Sequence, residues 1–210
     1  MFSGIVEGLG VVRQAPSRSR ADLVLELPEG WAQPELGESV AVNGCCLTVV
    51  EAGEGRLRAE LTPETRRRTT LGRLRAGQPV NLEASLALGQ RVGGHLVSGH
   101  VDATGQVAGL EREGNATWLQ VEIPGELARY CVPRGSIAID GCSLTLCEVA
   151  EDAAGARAWV RVSLIPHTCE HTVAGRYREG ERVNVEVDSL ARLVERLVGP
   201  HPRHPEAGRR

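Results

Sequence analysis

The sequence predicts an all-β fold of two homologous antiparallel barrels that arose by internal duplication, followed by a C-terminal α-helix. Three observations lead to this prediction: a long internal repeat, a strand pattern about every ten residues, and one helical apolar stripe near the end of the chain. The repeat fixes the domain organisation.

The repeat is clearest in residues 39–51, which reappear as residues 136–148 with 7 of 13 aligned positions identical. One aligned pair differs in chemistry, because Cys46 in the first copy is matched by Ser143 in the second. The repeat therefore predicts two similar pockets that are not fully equivalent.

The similarity extends over most of the chain. Residues 1–12 match residues 96–107, and residues 61–65 match residues 164–168. The offset grows from 95 to 97 to 103 residues, which indicates insertions in loops of the second copy. A period this long indicates a duplicated domain rather than a solenoid. We expect an N-terminal barrel of residues 1–95, a C-terminal barrel of residues 96–187, a helix of residues 188–198 and a disordered tail of residues 199–210.

Each copy contains short apolar or alternating runs bounded by Gly, Pro and Asn, which is typical of small antiparallel barrels. A further short strand is predicted at the apolar pair Ile5-Val6. The main predicted strands are 21–27, 39–42, 48–51, 57–61 and 80–83 in the first copy, and 117–123, 136–139, 145–149, 158–164 and 182–187 in the second.

The segment that follows the second barrel has helical periodicity. Asp188 or Ser189 would cap this helix, and Gly199 with Pro200 would end it. A helix of about ten residues is marginal alone, so its apolar stripe predicts self-association. The stripe consists of Leu190, Leu193, Val194, Leu197 and Val198.

Composition excludes several classes of protein. The formal net charge is −3 with charges interspersed, which argues against nucleic-acid binding. Apolar runs are far shorter than the roughly 18 residues needed to cross a bilayer, so we expect no membrane span. All 24 basic residues are arginine, which excludes a Schiff-base lysine.

The cysteines indicate a reducing compartment. There are 6, with no CxxC pattern, which argues against both a zinc site and a disulfide framework. Residues 1–12 do not have the basic and apolar regions of a secretory signal. We therefore expect a cytoplasmic protein without a bound metal.

Candidate chemistry follows two hairpin turns, Asn43-Gly44 and Asp140-Gly141. Because strand residues alternate between faces, Cys46 shares a face with Thr48. Ser143 shares the matched face with Thr145. These side chains could line a pocket for a polar ligand, or they could be small residues that fill a tight barrel.

Two histidines, His95 and His100, lie in a Gly-rich stretch where the second copy begins. They could be metal ligands, but positions five apart on a strand point to opposite faces. His100 stands where the first copy has Ile5, and a titratable group in only one of two matched pockets favours acid/base work over packing. The matched Gly4 and Gly99 indicate close backbone approach, either to a ligand or to another strand.

Two further residues have alternative interpretations. Phe2 could close over a flat ligand or simply cap a barrel. Asp188 could cap the helix or reach the pocket, since its counterpart in the first copy is Ser85.

Four motifs taken together resemble the riboflavin synthase family, of the trimeric alpha-chain type. The likeness runs from Met1 to about Val198. The motifs are MFSGIVE at 1–7, NGCCLTV at 43–49, GGHLVSGHVD at 93–102 and IDGCSLT at 139–145.

The resemblance implies two six-stranded Greek-key barrels and a transferase reaction. Two molecules of 6,7-dimethyl-8-ribityllumazine react, and one donates a four-carbon unit to the other. The products are riboflavin and 5-amino-6-(ribitylamino)uracil, with no metal or cofactor required. It further implies a homotrimer held by the C-terminal helices, with two lumazines per site between barrels of neighbouring subunits, and a possible association with a lumazine synthase.

The resemblance also implies two sets of substrate-binding residues, and Phe2 joins them as a possible cover. Arg134 stands where the family usually has lysine, and the two cations differ in geometry. The first set is Gly4, Ile5, Val6, Ser39, Cys46, Leu47, Thr48, Glu60, Leu61, Thr62, Pro63, Glu64 and Thr65. The second set is Gly99, His100, Val101, Arg134, Ser143, Leu144, Thr145, Ser163, Leu164, Ile165, Pro166, His167 and Thr168.

Catalytic roles are expected for five residues. His100 would be the proton shuttle and Cys46 the nucleophile or water-positioning thiol. Ser143 and Thr145 would orient ring heteroatoms, and Asp188 would bind a ribityl chain or join the proton transfer. An alternative function is that of the lumazine proteins, which share this frame and bind a lumazine or flavin without converting it. A third, a generic flavin-reductase-like barrel, is disfavoured because no nicotinamide-site signature is present.

Overall fold

A computed structural model describes residues 1–17 and 19–199, and it contains two closed, six-stranded antiparallel barrels. In the first barrel the strands follow one another around the wall in the order β1-β2-β5-β4-β3-β6. Its strands are β1 (Gly8–Gln14), β2 (Asp22–Glu26), β3 (Ser39–Val42), β4 (Cys45–Gly53), β5 (Arg56–Glu60) and β6 (Pro79–Ala84).

The second barrel repeats this topology, because β7 to β12 occupy the places of β1 to β6. The predicted all-β fold with duplicated six-stranded barrels is confirmed. The strands are β7 (Ala103–Glu113), β8 (Ala116–Pro124), β9 (Ser136–Ile139), β10 (Cys142–Glu151), β11 (Arg157–Leu164) and β12 (Arg182–Val187).

The predicted strand at Ile5-Val6 is wrong, since the first strand begins only at Gly8. Residues 3–6 lie outside the wall of the first barrel instead, and the chain turns at Gly4, which has φ +74°. Short helices were not predicted either. Each barrel has one that starts with proline, which suits a first helical turn because it has no N–H to pair. The helical elements are α1 (Pro63–Arg68), α2 (Pro166–His171) and the 3₁₀ turns Thr70–Arg73, Gly125–Tyr130 and Val173–Arg176.

The barrels meet at their two matched hairpin tips. Asn43 and Asp140 have φ near +44°, and each is followed by a glycine with positive φ, as the predicted two-residue turns require. A Cβ on Gly44 would lie 2.5 Å from the backbone nitrogen of Gly141. Glycine is therefore required at this contact between the barrels.

Buried amides link the two tips. The Asn81 Nδ2 donates to the carbonyl of Asp140 at 2.8 Å, and the Asn184 Nδ2 donates to the carbonyl of Asn43 at 2.8 Å. In turn, the side chain of Asn43 accepts from the backbone of Asn81, and that of Asp140 from Asn184. These reciprocal bonds fix the two barrels to each other about an approximate two-fold axis.

The segments that precede the barrels are exchanged between them. Phe2 and Val97 pair with each other, with N···O distances of 2.8 and 3.0 Å. Beyond this pair, Val6 packs against the core of the second barrel, whereas Val101 packs in the core of the first. Each barrel is therefore covered at one end by a segment that leads into the other.

The C-terminal helix is α3 (Ser189–Val198), as its periodicity predicted. Asp188 caps it by accepting from the backbone of Leu190 at 2.9 Å. Ion pairs Arg192–Asp102 and Arg129–Glu195 attach it to the second barrel. Its apolar stripe remains exposed, and the predicted disorder of the tail falls on residues 200–210, outside the described part, apart from Gly199. Among the described residues, no helix has the length and apolar character needed to cross a membrane.

Candidate functional site

Two matched crossovers bring the predicted site residues together. The backbone of Ser143 donates to the carbonyl of Gly4 at 2.7 Å, and that of Cys46 donates to the carbonyl of Gly99 at 2.8 Å. A Cβ on either glycine would lie 2.6 Å from the Cβ of its partner. Of the two explanations for these glycines, the structure thus supports close approach to another strand.

This geometry corrects the predicted grouping of the pockets. Gly4, Ile5 and Val6 were assigned with Cys46 to the N-terminal barrel, but the crossover places this segment at Ser143. The segment of Gly99, His100 and Val101 lies at Cys46 instead. The chain exchanges its leading segments between barrels, which a repeat alignment cannot reveal.

Buried glutamates hold both crossovers, and neither glutamate was predicted. The carboxylate of Glu83 accepts from the backbone and hydroxyl of Ser3 at 2.6 and 2.7 Å, and from the backbone of Gly4. Glu186 holds Ser98 and Gly99 in the same way. Burial raises the pKa of both carboxyl groups, and these hydrogen bonds oppose that shift. The sequence feature that could have indicated these glutamates is the matched Val-Asn-x-Glu pattern at residues 80–83 and 183–186.

The predicted sharing of faces is confirmed. Cys46 is half-buried and Thr48 exposed, while the residue between them, Leu47, points into the barrel core. Ser143 and Thr145 repeat this arrangement. The neighbouring Cys45 remains a protonated thiol at neutral pH, because burial raises its pKa to about 12. Of the adjacent cysteines, Cys46 is the one that faces outward.

His100 is exposed beside Cys46, and its backbone donates to the Ser98 hydroxyl at 3.1 Å. Ile5 has the matched place near Ser143, where its backbone donates to the Ser3 hydroxyl at 3.3 Å. The outer faces of the two barrels therefore differ in the His100 imidazole, which Ile5 replaces, as well as in the exchange of Cys46 for Ser143. Among the described residues, no group of three or more His, Cys, Asp or Glu could hold a metal ion.

Several predicted substrate-binding residues point into the cores, so that a ligand on the outer face can reach only their backbone. The Phe2 ring is fully buried between the barrels, which favours packing over a lid. The others with buried side chains are Leu47, Leu61, Val101, Leu144 and Leu164.

The remaining predicted residues lie on, or just after, strands that neighbour the strands of the outward pairs. Ser39 is the register partner of Thr48, and the chain after Glu60 and after Ser163 leaves strands that pair with the Cys46 and Ser143 strands. The residues of these two exits that are at least partly exposed are Glu60, Thr62, Pro63, Glu64 and Thr65, and Ser163, Ile165, Pro166, His167 and Thr168.

Arg134 and His95 lie outside the two outward pairs. Arg134 is exposed and has φ +70°, a conformation that favours glycine; glycine is indeed its counterpart, at Gly37. His95, which was considered only as a metal ligand, contacts Ser143 with an Nδ1···Oγ distance of 2.7 Å. Asp188 lies close enough that its charge raises the pKa of His95 against the larger, opposite effect of burial.

A family model described as the lumazine binding domain matches residues 3–85 and again residues 98–188. The crystal structure of LumP complexed with riboflavin has a TM-score of 0.78 at 25% identity, covering 89% of this chain and 99% of that one. LumP complexed with 6,7-dimethyl-8-(1'-D-ribityl) lumazine gives a TM-score of 0.75 at 24% identity, with the same coverage. Fold and site therefore define a duplicated lumazine-binding barrel protein.

Curated relatives refine this class. Riboflavin synthase of Mycobacterium tuberculosis is 45% identical over 200 residues, which cover 94% of this chain and 98% of that protein. Riboflavin synthase of Bacillus subtilis is 36% identical over 199 residues, covering 94% and 90%. The chain belongs to the riboflavin synthase family.

Proposed function

We propose that this chain is a riboflavin synthase, a transferase that converts two molecules of 6,7-dimethyl-8-ribityllumazine into riboflavin and 5-amino-6-(ribitylamino)uracil. Full-length similarity to curated riboflavin synthases and the two lumazine-binding repeats support the activity. The structural observation that carries it is the pair of matched but unequal outer faces at Cys46 and Ser143. A reaction between two identical substrates needs two similar binding sites with different chemistry.

Proximity is the largest expected contribution to the rate. Fixing two partners in reactive geometry can lower a barrier by roughly 7 to 11 kcal/mol. The protein's remaining task is to hold the ring atoms and to move protons. His100 is the proposed proton shuttle, because it is exposed and follows Gly99, whose carbonyl accepts from the Cys46 backbone.

The other proposed roles follow from the outward side chains. Cys46 acts as nucleophile or positions a water on one lumazine. Ser143, Thr145 and Thr48 donate to or accept from ring heteroatoms. Asp188, at the start of α3, binds a ribityl chain or joins the proton transfer.

A homotrimer is proposed as the active assembly. The apolar stripe of α3 is exposed, and Leu197 is 85% exposed. Thr48, Thr145 and His100 also lie open to solvent in the single chain, so a neighbouring barrel could cover them. The site then holds two lumazines between subunits. Association with a lumazine synthase and a cytoplasmic location also belong to this proposal.

The test is incubation with the lumazine alone, followed by the fluorescence of riboflavin. Riboflavin formation is expected, and Cys46→Ser and His100→Gln should each slow it at least tenfold. Unchanged turnover in both variants would refute the assigned roles. Binding of the lumazine without any riboflavin would instead identify a chromophore-binding protein similar to LumP.

A further inference from the structure

One polar contact at the crossover of Gly4 and Ser143 has no part in the proposed roles of the site residues. The Nδ1 of His95 lies 2.7 Å from the Oγ of Ser143, and the backbone of His95 donates to the carbonyl of Ser3 at 3.1 Å. The chain can come this close only because residue 94 is glycine, since a Cβ there would lie 2.8 Å from the Ser143 Oγ. The histidine is thus held against the serine on two sides.

The other ring nitrogen determines the direction of this hydrogen bond. The Nε2 of His95 is buried and has no hydrogen-bond partner among the described residues. Burial lowers the pKa of His95, so the imidazole is neutral at pH 7 and carries one proton. A proton on Nε2 would leave a buried donor unpaired, which is rarer in proteins than an underused acceptor. The proton therefore belongs on Nδ1.

An Nδ1–H donor has a definite consequence for Ser143. It uses a lone pair of the Oγ and leaves the hydroxyl hydrogen free to point away from the imidazole. The serine lies on the outer face that it shares with the exposed Thr145. In the first barrel Cys46 occupies the matched position, and no histidine there bonds its sulfur among residues 1–17 and 19–199.

We propose that His95 is a positioning residue that donates from Nδ1 to Ser143 and thereby directs the serine hydroxyl at an acceptor atom of the lumazine ring. This inference rests on the proposed function and goes beyond it by explaining why only one of the two faces has an oriented hydroxyl donor. Removing a proton from the lumazine methyl group places negative charge on the ring, and a preorganised donor stabilises such charge.

Kinetics of four variants test the proposal. In His95→Asn the side-chain amide can replace the Nδ1 donor, so kcat should stay within a few-fold of wild type. In His95→Leu kcat should fall about tenfold to 100-fold with little change in KM. Ser143→Ala should lose at least as much, and the double variant His95→Leu/Ser143→Ala should be no slower than Ser143→Ala alone.

Wild-type kcat in His95→Leu, or losses that multiply in the double variant, would overturn the proposal. If the wild-type chain binds the lumazine but does not convert it, the proposed function fails. The lumazine affinities of the same variants then test this inference: an unchanged affinity in His95→Leu, or losses that multiply in the double variant, would overturn it.

A second measurement uses the wild-type chain and does not depend on its activity. Nitrogen-15 NMR of the histidine-labelled chain should show the Nδ1–H tautomer for His95. An Nε2–H tautomer would refute the proposed direction of the hydrogen bond.

Discussion

Asp140 and Asn43 occupy matched turn positions, but only Asp140 can ionise. Its Oδ2 accepts from the hydroxyl of Tyr177 at 2.7 Å, whereas the counterpart of Tyr177 in the first copy is Leu74. Burial raises the pKa of Asp140 to about 7 from an ordinary value of 3.8. The native state therefore binds a proton between these pH values that the unfolded state has released.

A pH-dependent stability follows from this proton. The contribution of Asp140 is greatest below about pH 4 and is lost as the pH rises through about 7, by a few kcal/mol at most. Asp140→Asn copies the first barrel and should flatten this part of the profile. Urea unfolding at pH 5 and pH 8 measures it. Glu83 and Glu186 shift in the same direction, so only the difference between variant and wild type is diagnostic.

Arg134 provides a second residue-scale prediction. A non-glycine residue at φ +70° costs roughly 1 kcal/mol, so Arg134→Gly should raise the free energy of unfolding by about that amount. It should also raise KM several-fold if the guanidinium binds the lumazine. The mirror control is Gly37→Arg, where a Cβ meets open space and only backbone strain counts. Denaturation midpoints and KM separate the two effects; an unchanged KM would remove Arg134 from the site.

Among the structural elements, the strands were easier to predict than the short helices and the buried carboxylates between them. Alternation and turn residues located the described strands to within a few residues, with the exception of β1 and β7, which were not predicted. The helix α1 has no buried residue, so it leaves no apolar period to detect. Glu83 and Glu186 were missed for a related reason: buried carboxylates read as ordinary surface residues until their N–H partners are known.

Helix α3 and the His100 segment are coupled by one ion pair, Arg192 with the nearly buried Asp102. Asp102 also accepts from the backbone of Val187 at 2.9 Å, where the second barrel ends. Loss of the guanidinium would leave a poorly solvated carboxylate without its cation, which is unfavourable. Arg192→Ala should therefore loosen both the helix and residues 98–102.

Hydrogen exchange and kinetics detect this coupling. Amides of α3 and of residues 98–102 should exchange at least several-fold faster in Arg192→Ala, and kcat should fall. The exposed Arg196 one turn later supplies the control Arg196→Ala, which should leave both unchanged. Faster exchange confined to the helix would show that the His100 segment is held independently.

For the whole molecule, the duplication predicted the architecture well, since a repeat constrains two domains at once. It could not predict which segment covers which barrel, because Gly4 and Gly99 match equally well in either arrangement. The identities of the residues around Cys46 and Ser143 were thus predictable, whereas their partners across the barrels required the structure.

Assembly gives the prediction at this scale. Leu193 and Leu197, 59% and 85% exposed on α3, should lie between subunits of the proposed trimer. In Leu193→Asp/Leu197→Asp we expect a folded monomer that forms no riboflavin. Leu36→Asp, at a leucine that is 75% exposed outside the helix, should remain a trimer and stay active. Sedimentation with riboflavin fluorescence reports both properties, and a fully active monomer would contradict a site between subunits.

The exchange of the segments that precede the two barrels has an evolutionary consequence. Before fusion, two identical half-length polypeptides could have swapped these arms symmetrically, each one completing its twin. Joining them in a single gene freed the halves to diverge, and they now differ at the matched pairs Cys46 and Ser143, Asn43 and Asp140, and Leu74 and Tyr177. Two binding faces with different chemistry could then evolve on a scaffold whose halves were once identical.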